Sequence, residues 1–288
     1  MRMNHDRRCR VCLLSRAALE CELAAVPEER TKTIVSESGQ MLDFLFTTKR
    51  SHPVIASFLH RFVYRMINCK DPYASLKSQS NKIVEEWIKQ CANQVSTWNF
   101  QELVTAAVIG NTFDYGVNEH EVSADFASFF EDEWKTGLKI DDTNDMLPLL
   151  DRIVYLTDNC GELLFDRELM RYLKEKNAEI TLVLRKAPML NDATCTDAYL
   201  YGLDRYADRI YASSSSAEIG IRFDQVDSEL LQHINDATLI ISKGMANYES
   251  LRVFEGLPPV AYLLTTKCLP IAEELGVAKG SKIALLRH

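Results

Sequence analysis

No run of eighteen apolar residues occurs anywhere in the 288-residue sequence, and its start, Met1-Arg2-Met3-Asn4-His5, has no apolar segment with a small-residue cleavage site. Neither a membrane span nor a secretory leader is expected, and the chain reads as cytoplasmic. Basic charge is also scarce: 33 Lys and Arg stand against 41 Asp and Glu, for a net charge of -8 and a pI near 5.4. General affinity for nucleic acid depends on neutralising phosphates with cations, so a nucleic-acid partner is not expected. A small-molecule substrate fits better.

Several catalytic signatures are missing as well. There is no Walker loop, no Gly-x-Ser-x-Gly elbow and no His-Glu-x-x-His. A cysteine phosphatase needs Arg six positions after its thiolate, yet Cys160 is followed there by Asp166, Cys195 by Tyr201 and Cys268 by Glu274. The eight cysteines, at 9, 12, 21, 69, 91, 160, 195 and 268, are expected as thiols or metal ligands in a reducing compartment rather than as disulfides. His52, His60, His120 and His233 have no metal-ligand spacing.

What is present divides the chain in two. Residues 10–136 carry apolar side chains at three- and four-residue spacing, as in Val54-Ile55-Phe58-Leu59-Phe62-Val63, with helix stops near Pro27, Pro53 and Asp71-Pro72. The polar run 139–145 reads as a linker. Beyond residue 150, short β-branched runs at 152–157, 179–184, 209–212, 238–242, 260–265 and 282–286 alternate with amphipathic helical segments, the pattern of a parallel, doubly wound α/β sheet. A helical domain over 1–145 and an αβα domain over 146–288 are expected. Trp87, Trp98 and Trp134 read as packing residues.

In such sheets ligands bind beyond the carboxyl ends of the strands. The first strand leads to Asp158-Asn159-Cys160-Gly161-Glu162, the second to Lys186 and then Asn191-Asp192, the fourth to Ser242-Lys243-Gly244 and the fifth to Lys267-Cys268. Asp158, Asn159 and Asp192 offer hard oxygen ligands suited to Mg²⁺ or Mn²⁺. Lys243 and Lys267 supply countercharge, and Gly161 is placed to open a helix whose amides could hold phosphate. Each residue alone is an ordinary turn, cap or solvated lysine; their convergence suggests phosphoryl transfer. A Gly-Asn pair, Gly110-Asn111, in an otherwise apolar helix invites a close backbone approach and a polar contact, so Asn111 and Asp114 read either as supporting or substrate-binding residues or as groups that satisfy local backbone. Cys9-x-x-Cys12 allows either a zinc or redox site or, with Leu13 and Ala17, one face of a buried helix.

The segment Thr157 to Glu162 with Phe165-Asp166 resembles the Asp-Asn-x-Gly-Glu signature of the metal-dependent damage-control phosphatases. The likeness continues through Asp71-Pro72-Tyr73 with Lys77 and Asn81, Gly110-Asn111 with Asp114-Tyr115-Gly116, Asn191 to Thr194, Lys243-Gly244 with Asn247-Tyr248-Glu249, and Lys267-Cys268. The N-terminal Cys9/Cys12 pair is similar to the stand-alone archaeal and bacterial branch. The resemblance implies a helical N-terminal domain beside a three-layer αβα domain with a mostly parallel, Rossmann-like sheet. It implies a divalent ion (Mg²⁺, Mn²⁺, Co²⁺ or Ni²⁺) at Asp158, Asn159 and Asp192, and substrate phosphate at Lys243. Asp158, Glu162 and Lys243 become catalytic candidates, and Asn111, Asp114, Gly161, Asn247 and Lys267 substrate contacts. The implied activity is hydrolysis of small phosphate esters: sugar phosphates, nucleotides or phosphopantetheine-type compounds. The alternatives are a carboxyl methyltransferase using S-adenosylmethionine, disfavoured by the missing Gly-x-Gly loop after the first strand, and a non-catalytic phosphometabolite binder.

Overall fold

A computed structural model describes residues 7–111 and 126–288. Among the described residues six helices precede residue 112: α1 (Arg7–Leu23), α2 (Glu28–Leu45), α3 (His52–Met66), α4 (Ala74–Gln90), α5 (Ala92–Val95) and α6 (Phe100–Gly110), with α7 (Phe126–Thr136) after it. The sequence signals for their limits are physical ones. Pro53 sits in the first turn of α3, where a missing amide hydrogen is harmless. Asn99 and Glu102 form a reciprocal capping box at the start of α6.

The remainder alternates strand and helix: β1 (Ile140–Asp141), α8 (Thr143–Met146), β2 (Arg152–Leu156), α9 (Leu163–Glu175), β3 (Glu179–Leu184), α10 (Cys195–Leu200), β4 (Arg209–Ala212), α11 (Ser228–Asp236), β5 (Leu239–Lys243), α12 (Gly244–Leu251), β6 (Val260–Thr265), α13 (Leu269–Leu275) and β7 (Lys282–Arg287). Among the described residues seven strands form one sheet in the order β1-β7-β6-β5-β2-β3-β4, parallel except for the β6/β7 pair. The α/β class and mostly parallel sheet expected from the sequence are therefore observed. The run 139–145 departs from its reading as a linker. Lys139 and Asp142 donate backbone hydrogen bonds to Lys282 and Ala284, adding β1 to the sheet edge. Its polarity misleads because a two-residue edge strand needs almost no apolar side chains.

Side chains on β2 and β5 alternate between the two faces. Ile153, Tyr155, Leu239 and Ile241 join one apolar cluster with α6 and α9, while Val154, Leu156 and Ile240 join another with α11, α12 and α13. Burial on both faces explains why these strands read as continuous apolar runs. The three tryptophans belong to the first cluster's surroundings, with Trp98 stacked on Trp134 at 4.9 Å and Trp87 beside Phe165 of α9 at 5.9 Å. A third cluster joins α1, α2 and α3 to Met189, Leu190 and Ile219, beyond β3 and β4.

Two hydrogen bonds fix α3 against the sheet's upper edge: Ile219 N donates to Ser57 Oγ (2.8 Å), and Leu190 N donates to Tyr64 Oη (2.9 Å). The chain runs outward from β2 through β3 to β4, then returns to place β5 on the other side of β2. That reversal makes the ends of β2 and β5 the topological switch point, where a crevice opens in doubly wound sheets. Among the described residues no helix is long and apolar enough to cross a membrane.

Candidate active site

At the switch point a cleft of about 320 Å³ separates the strand ends from α1 and α3. Asp158, Asn159, Asp192 and Lys267 form its sheet side, and Arg8, Arg16, His52 and His60 belong to its helical side. The loops after β2 and β3 are joined by a short antiparallel bridge between Asn159 and Asp192, with Ala193 N donating to Asp158 O at 2.7 Å. Backbone pairing thus brings Asp192 beside Asp158, 34 positions earlier in the chain, and its neighbour Asn159.

Glu162 supports this assembly from below. Its Oε1 accepts from Asn159 N (2.8 Å), Asn159 Nδ2 (2.9 Å) and Asn111 Nδ2 (2.8 Å), and its Oε2 accepts from Lys243 Nζ (2.6 Å). Asn111 Nδ2 also reaches Asp158 Oδ2 at 3.1 Å, while its Oδ1 accepts Thr265 N. Asp158 Oδ2 therefore receives amide donors from both Asn111 and Asn159. Arg185 Nη2 stands 3.6 Å from Oδ1, beyond hydrogen-bond length.

Several expected contacts take another form. Lys243, read as facing phosphate, is fully buried and donates to Glu162, to Asp166 Oδ1 (2.7 Å) and to Ala107 O (3.1 Å). Side chains alternate along β5, and this one turns into the layer beneath the cleft. Glu162, read as catalytic, is equally buried and engaged. The Gly161 amide, read as a phosphate donor, donates to Asn81 Oδ1 (2.5 Å), and the Cys160 amide to Asn191 O (2.9 Å). Asn247 donates to Thr157 O and Lys243 O and accepts from Arg185. Asp114 lies outside the described residues.

Arg185 was missed because the sequence reading chose its neighbour Lys186. Lys186 is exposed, whereas Arg185 is 1% exposed and directs Nε to Asp192 Oδ2 at 2.5 Å and Nη1 to Gly220 O at 3.0 Å. Its signal was its place immediately after an apolar strand, the same signal that located Asp158. At the mouth, Cys9 and Cys12 are half-buried and exposed, while Leu13, Ala17 and Cys21 form the buried face of α1. Cys12 thus lies off that buried face, while Cys9, one turn before Leu13, is half-buried at its edge. Among the described residues no three His, Cys, Asp or Glu side chains are grouped to hold a metal. Glu249 lies 3.5 Å from His52 Nδ1; burial opposes charge on the imidazole, but Glu249 and Cys9 push it up to about 10.

The donor set nevertheless fits a hard divalent ion when the amide oxygen of Asn159 is counted with the two carboxylates. Burial first, then Asp192 and Glu162, push Asp158 up to about 8. Asp158 therefore ionises reluctantly in the folded chain, chiefly because it is buried. Gly244 leaves room above it: a Cβ there would lie 1.8 Å from Asp158 Oδ2, and its φ of +75° suits glycine.

These contacts give two expected outcomes. Lys243→Met leaves Glu162 and Asp166 as buried carboxylates without their cation, which should cost about 3–5 kcal/mol in urea unfolding; an unchanged unfolding midpoint would contradict the buried pairing. In metal-free protein, the raised Asp158 carboxyl contributes stability that is complete below its ordinary value of 3.8 and is lost as pH rises through about 8. Asp158→Asn should flatten this part of the melting-temperature profile between about pH 4 and 8. Parallel profiles for the two proteins would show that Asp158 is not under charge repulsion.

Residues 5–283 match the damage-control phosphatase ARMT1-like domain. A damage-control phosphatase of Archaeoglobus fulgidus is 37% identical over 281 residues, covering 96% of each chain, and one of Pyrococcus horikoshii is 26% identical with the same coverage. The crystal structure of a DUF89 family protein from Pyrococcus horikoshii aligns with a TM-score of 0.89 at 25% identity, covering 98% of this chain and 99% of that one. The match spans the helical and sheet regions together and includes every cleft residue described above: the chain belongs to the ARMT1-like damage-control phosphatase family.

Proposed function

We propose that this protein is a divalent-metal-dependent phosphatase that hydrolyses phosphate monoesters of small metabolites, in the manner the names of its relatives suggest. The observation that carries this reading is the meeting of Asp158, Asn159 and Asp192 at the wall of one cleft, with Lys267 beside them. These three residues would hold a Mg²⁺ or Mn²⁺ ion, or Co²⁺ or Ni²⁺, and the ion would supply neutralising charge to phosphoryl oxygens.

The chain's own residues account for the rest. Phosphoryl transfer depends on alignment and on charge stabilisation more than on covalent chemistry. Lys267 offers a cation on the sheet side of the cleft, and its charge opposes the upward push on Asp158. Arg185 holds Asp192 from behind, and Glu162 and Asn111 orient Asp158 and Asn159, so the ligands are set before substrate arrives. Lys243 acts one layer lower, compensating Glu162 and Asp166. Asp158, Asn159 and Asp192 are each less than a tenth exposed, which limits competing water, and a cleft of about 320 Å³ suits small substrates better than macromolecules.

The test is a phosphometabolite panel with sugar phosphates, nucleotides and pantetheine phosphates, run with each of several divalent ions. Phosphate release should require metal, cease on chelation and return on readdition. Asp158→Asn should abolish metal binding by calorimetry and lower kcat/KM by at least about 10²-fold while remaining folded. Phosphate release that survives exhaustive chelation, or a variant with normal metal binding, would reject this reading.

A further inference from the structure

Behind the carboxylates lies a buried guanidinium whose contacts run in three directions. Arg185 is 1% exposed and is not part of the cleft wall. Its Nε donates to Asp192 Oδ2 at 2.5 Å. Nη1 donates to Gly220 O at 3.0 Å and to Asn247 Oδ1 at 3.2 Å. Nη2 is buried, meets no hydrogen-bond partner among the described residues and stands 3.6 Å from Asp158 Oδ1. One planar fork thus holds one of the two acidic ligands, flanks the other without capturing it, and is tied to two further segments.

Gly220 belongs to the loop after β4, which Arg222 N closes at its neck by donating to Ser213 O at 2.9 Å. The loop is fixed from the helical side as well. Ile219 N donates to Ser57 Oγ (2.8 Å) and Ala217 O accepts from Arg61 Nη1 (2.8 Å), the two side chains standing one turn apart on α3. Gly220 has a φ of +70°, and a Cβ there would fall 2.0 Å from Ser250 Oγ and 2.8 Å from Ala246 O of α12. Only glycine lets the loop pass this close to α12 with its carbonyl on Arg185. Ile219, between the α3 contact and Gly220, lines the cleft. Arg185 therefore connects the acidic ligands to a part of the cleft wall that holds none of them.

We propose that Arg185 is a positioning residue that transmits occupancy of the carboxylate site to the Ile219 wall of the cleft. This deepens the reading above and rests on its divalent ion, not on the reaction. The direction follows from charge. An ion held by Asp158, Asn159 and Asp192 takes up carboxylate charge that otherwise attracts the guanidinium, and it repels the guanidinium directly. The bonds from Nη1 to the neutral acceptors Gly220 O and Asn247 Oδ1 strengthen as that attraction falls. The loop after β4 is then held more firmly between α12 and α3, and the wall against which a substrate rests stiffens once the ion is in place. Metal and substrate bind cooperatively as a result, although Ile219 touches only one of them.

The test titrates full-length, metal-free protein with Mg²⁺ and follows it by calorimetry, amide NMR and hydrogen exchange. In wild type the Ile219 and Ile221 amide signals should move with the same midpoint as that of Asn159, and exchange of the Ile219 amide should slow by at least about threefold at saturation. Arg185→Lys keeps the charge but cannot span both carboxylates and the loop. It should weaken Mg²⁺ binding by about 10–100-fold. At saturating Mg²⁺ it should retain the Asn159 shift and lose the slowed exchange at Ile219. Ion binding that leaves Ile219 and Ile221 unmoved, or Arg185→Lys with wild-type affinity and wild-type slowing, overturns the proposal. The wild-type titration decides it even where Arg185→Lys does not fold. A calorimetric titration that finds no Mg²⁺ or Mn²⁺ binding at all rejects the divalent-ion reading, and the coupling with it, whereas binding without a response at Ile219 rejects the coupling alone.

Discussion

The buried carboxylate of Glu162 is the interaction on which the rest of the site depends. It stands at the entry to α9 and gathers donors from the loop after β2, from the end of α6 and from the end of β5. A carboxylate removed from water is tolerable only with such a complete set of partners. Lys243 supplies the charge, Asn111 and Asn159 the neutral donors. Because each donor also touches another element, the ion pair is a joint that fixes three backbone segments to one another. Gly110, next to Asn111, is part of the same constraint: a Cβ there would fall 2.9 Å from both Glu162 Cβ and Phe165 Cδ2. The helix can approach this closely only because that position has no side chain.

Above that joint the balance of charge reverses. Asp158 and Asp192 face the cleft with Arg185 as their close buried cation, and burial with mutual repulsion makes full ionisation unfavourable. Residues that weaken a folded chain in this way concentrate where binding needs them. The lower layer is compensated, while in the upper layer burial opposes the charged form of Asp158, which a nearby cation would favour. The two layers meet at Asp158, whose Oδ2 is held by amides and whose Oδ1 is not.

The helical region does more than cover the sheet. Tyr64 and Ser57 on α3 clamp the loops after β3 and β4, Asn81 on α4 takes the Gly161 amide, and α6 delivers Asn111. Each is a polar contact in a largely apolar interface, so register between the two regions is specified by hydrogen bonds as well as by packing. The cleft between them consequently has one wall of metal-ligand type and another of cations and imidazoles.

The sequence alone determined the class of fold and the address of the site. Apolar runs of strand length separated by helical periodicity require a sheet covered on both faces, and that architecture directs attention to the strand ends where Asp158 and Asp192 lie. Chain order also limited which residues could meet there. It did not determine which way each side chain points. Lys243 and Lys186 both follow apolar runs, yet Lys243 turns into the core and Lys186 into solvent, while Arg185 takes the buried place beside Asp192. A shift of one residue along a strand reverses the face, so position after a strand carries no orientation by itself. Nor could periodicity join Glu20 to His60 or Asn81 to Gly161, because contacts between distant segments arise only when the helices pack on the sheet. Local patterning selected the elements, and only tertiary packing decided which polar groups face the cleft and which are buried beneath it as supports.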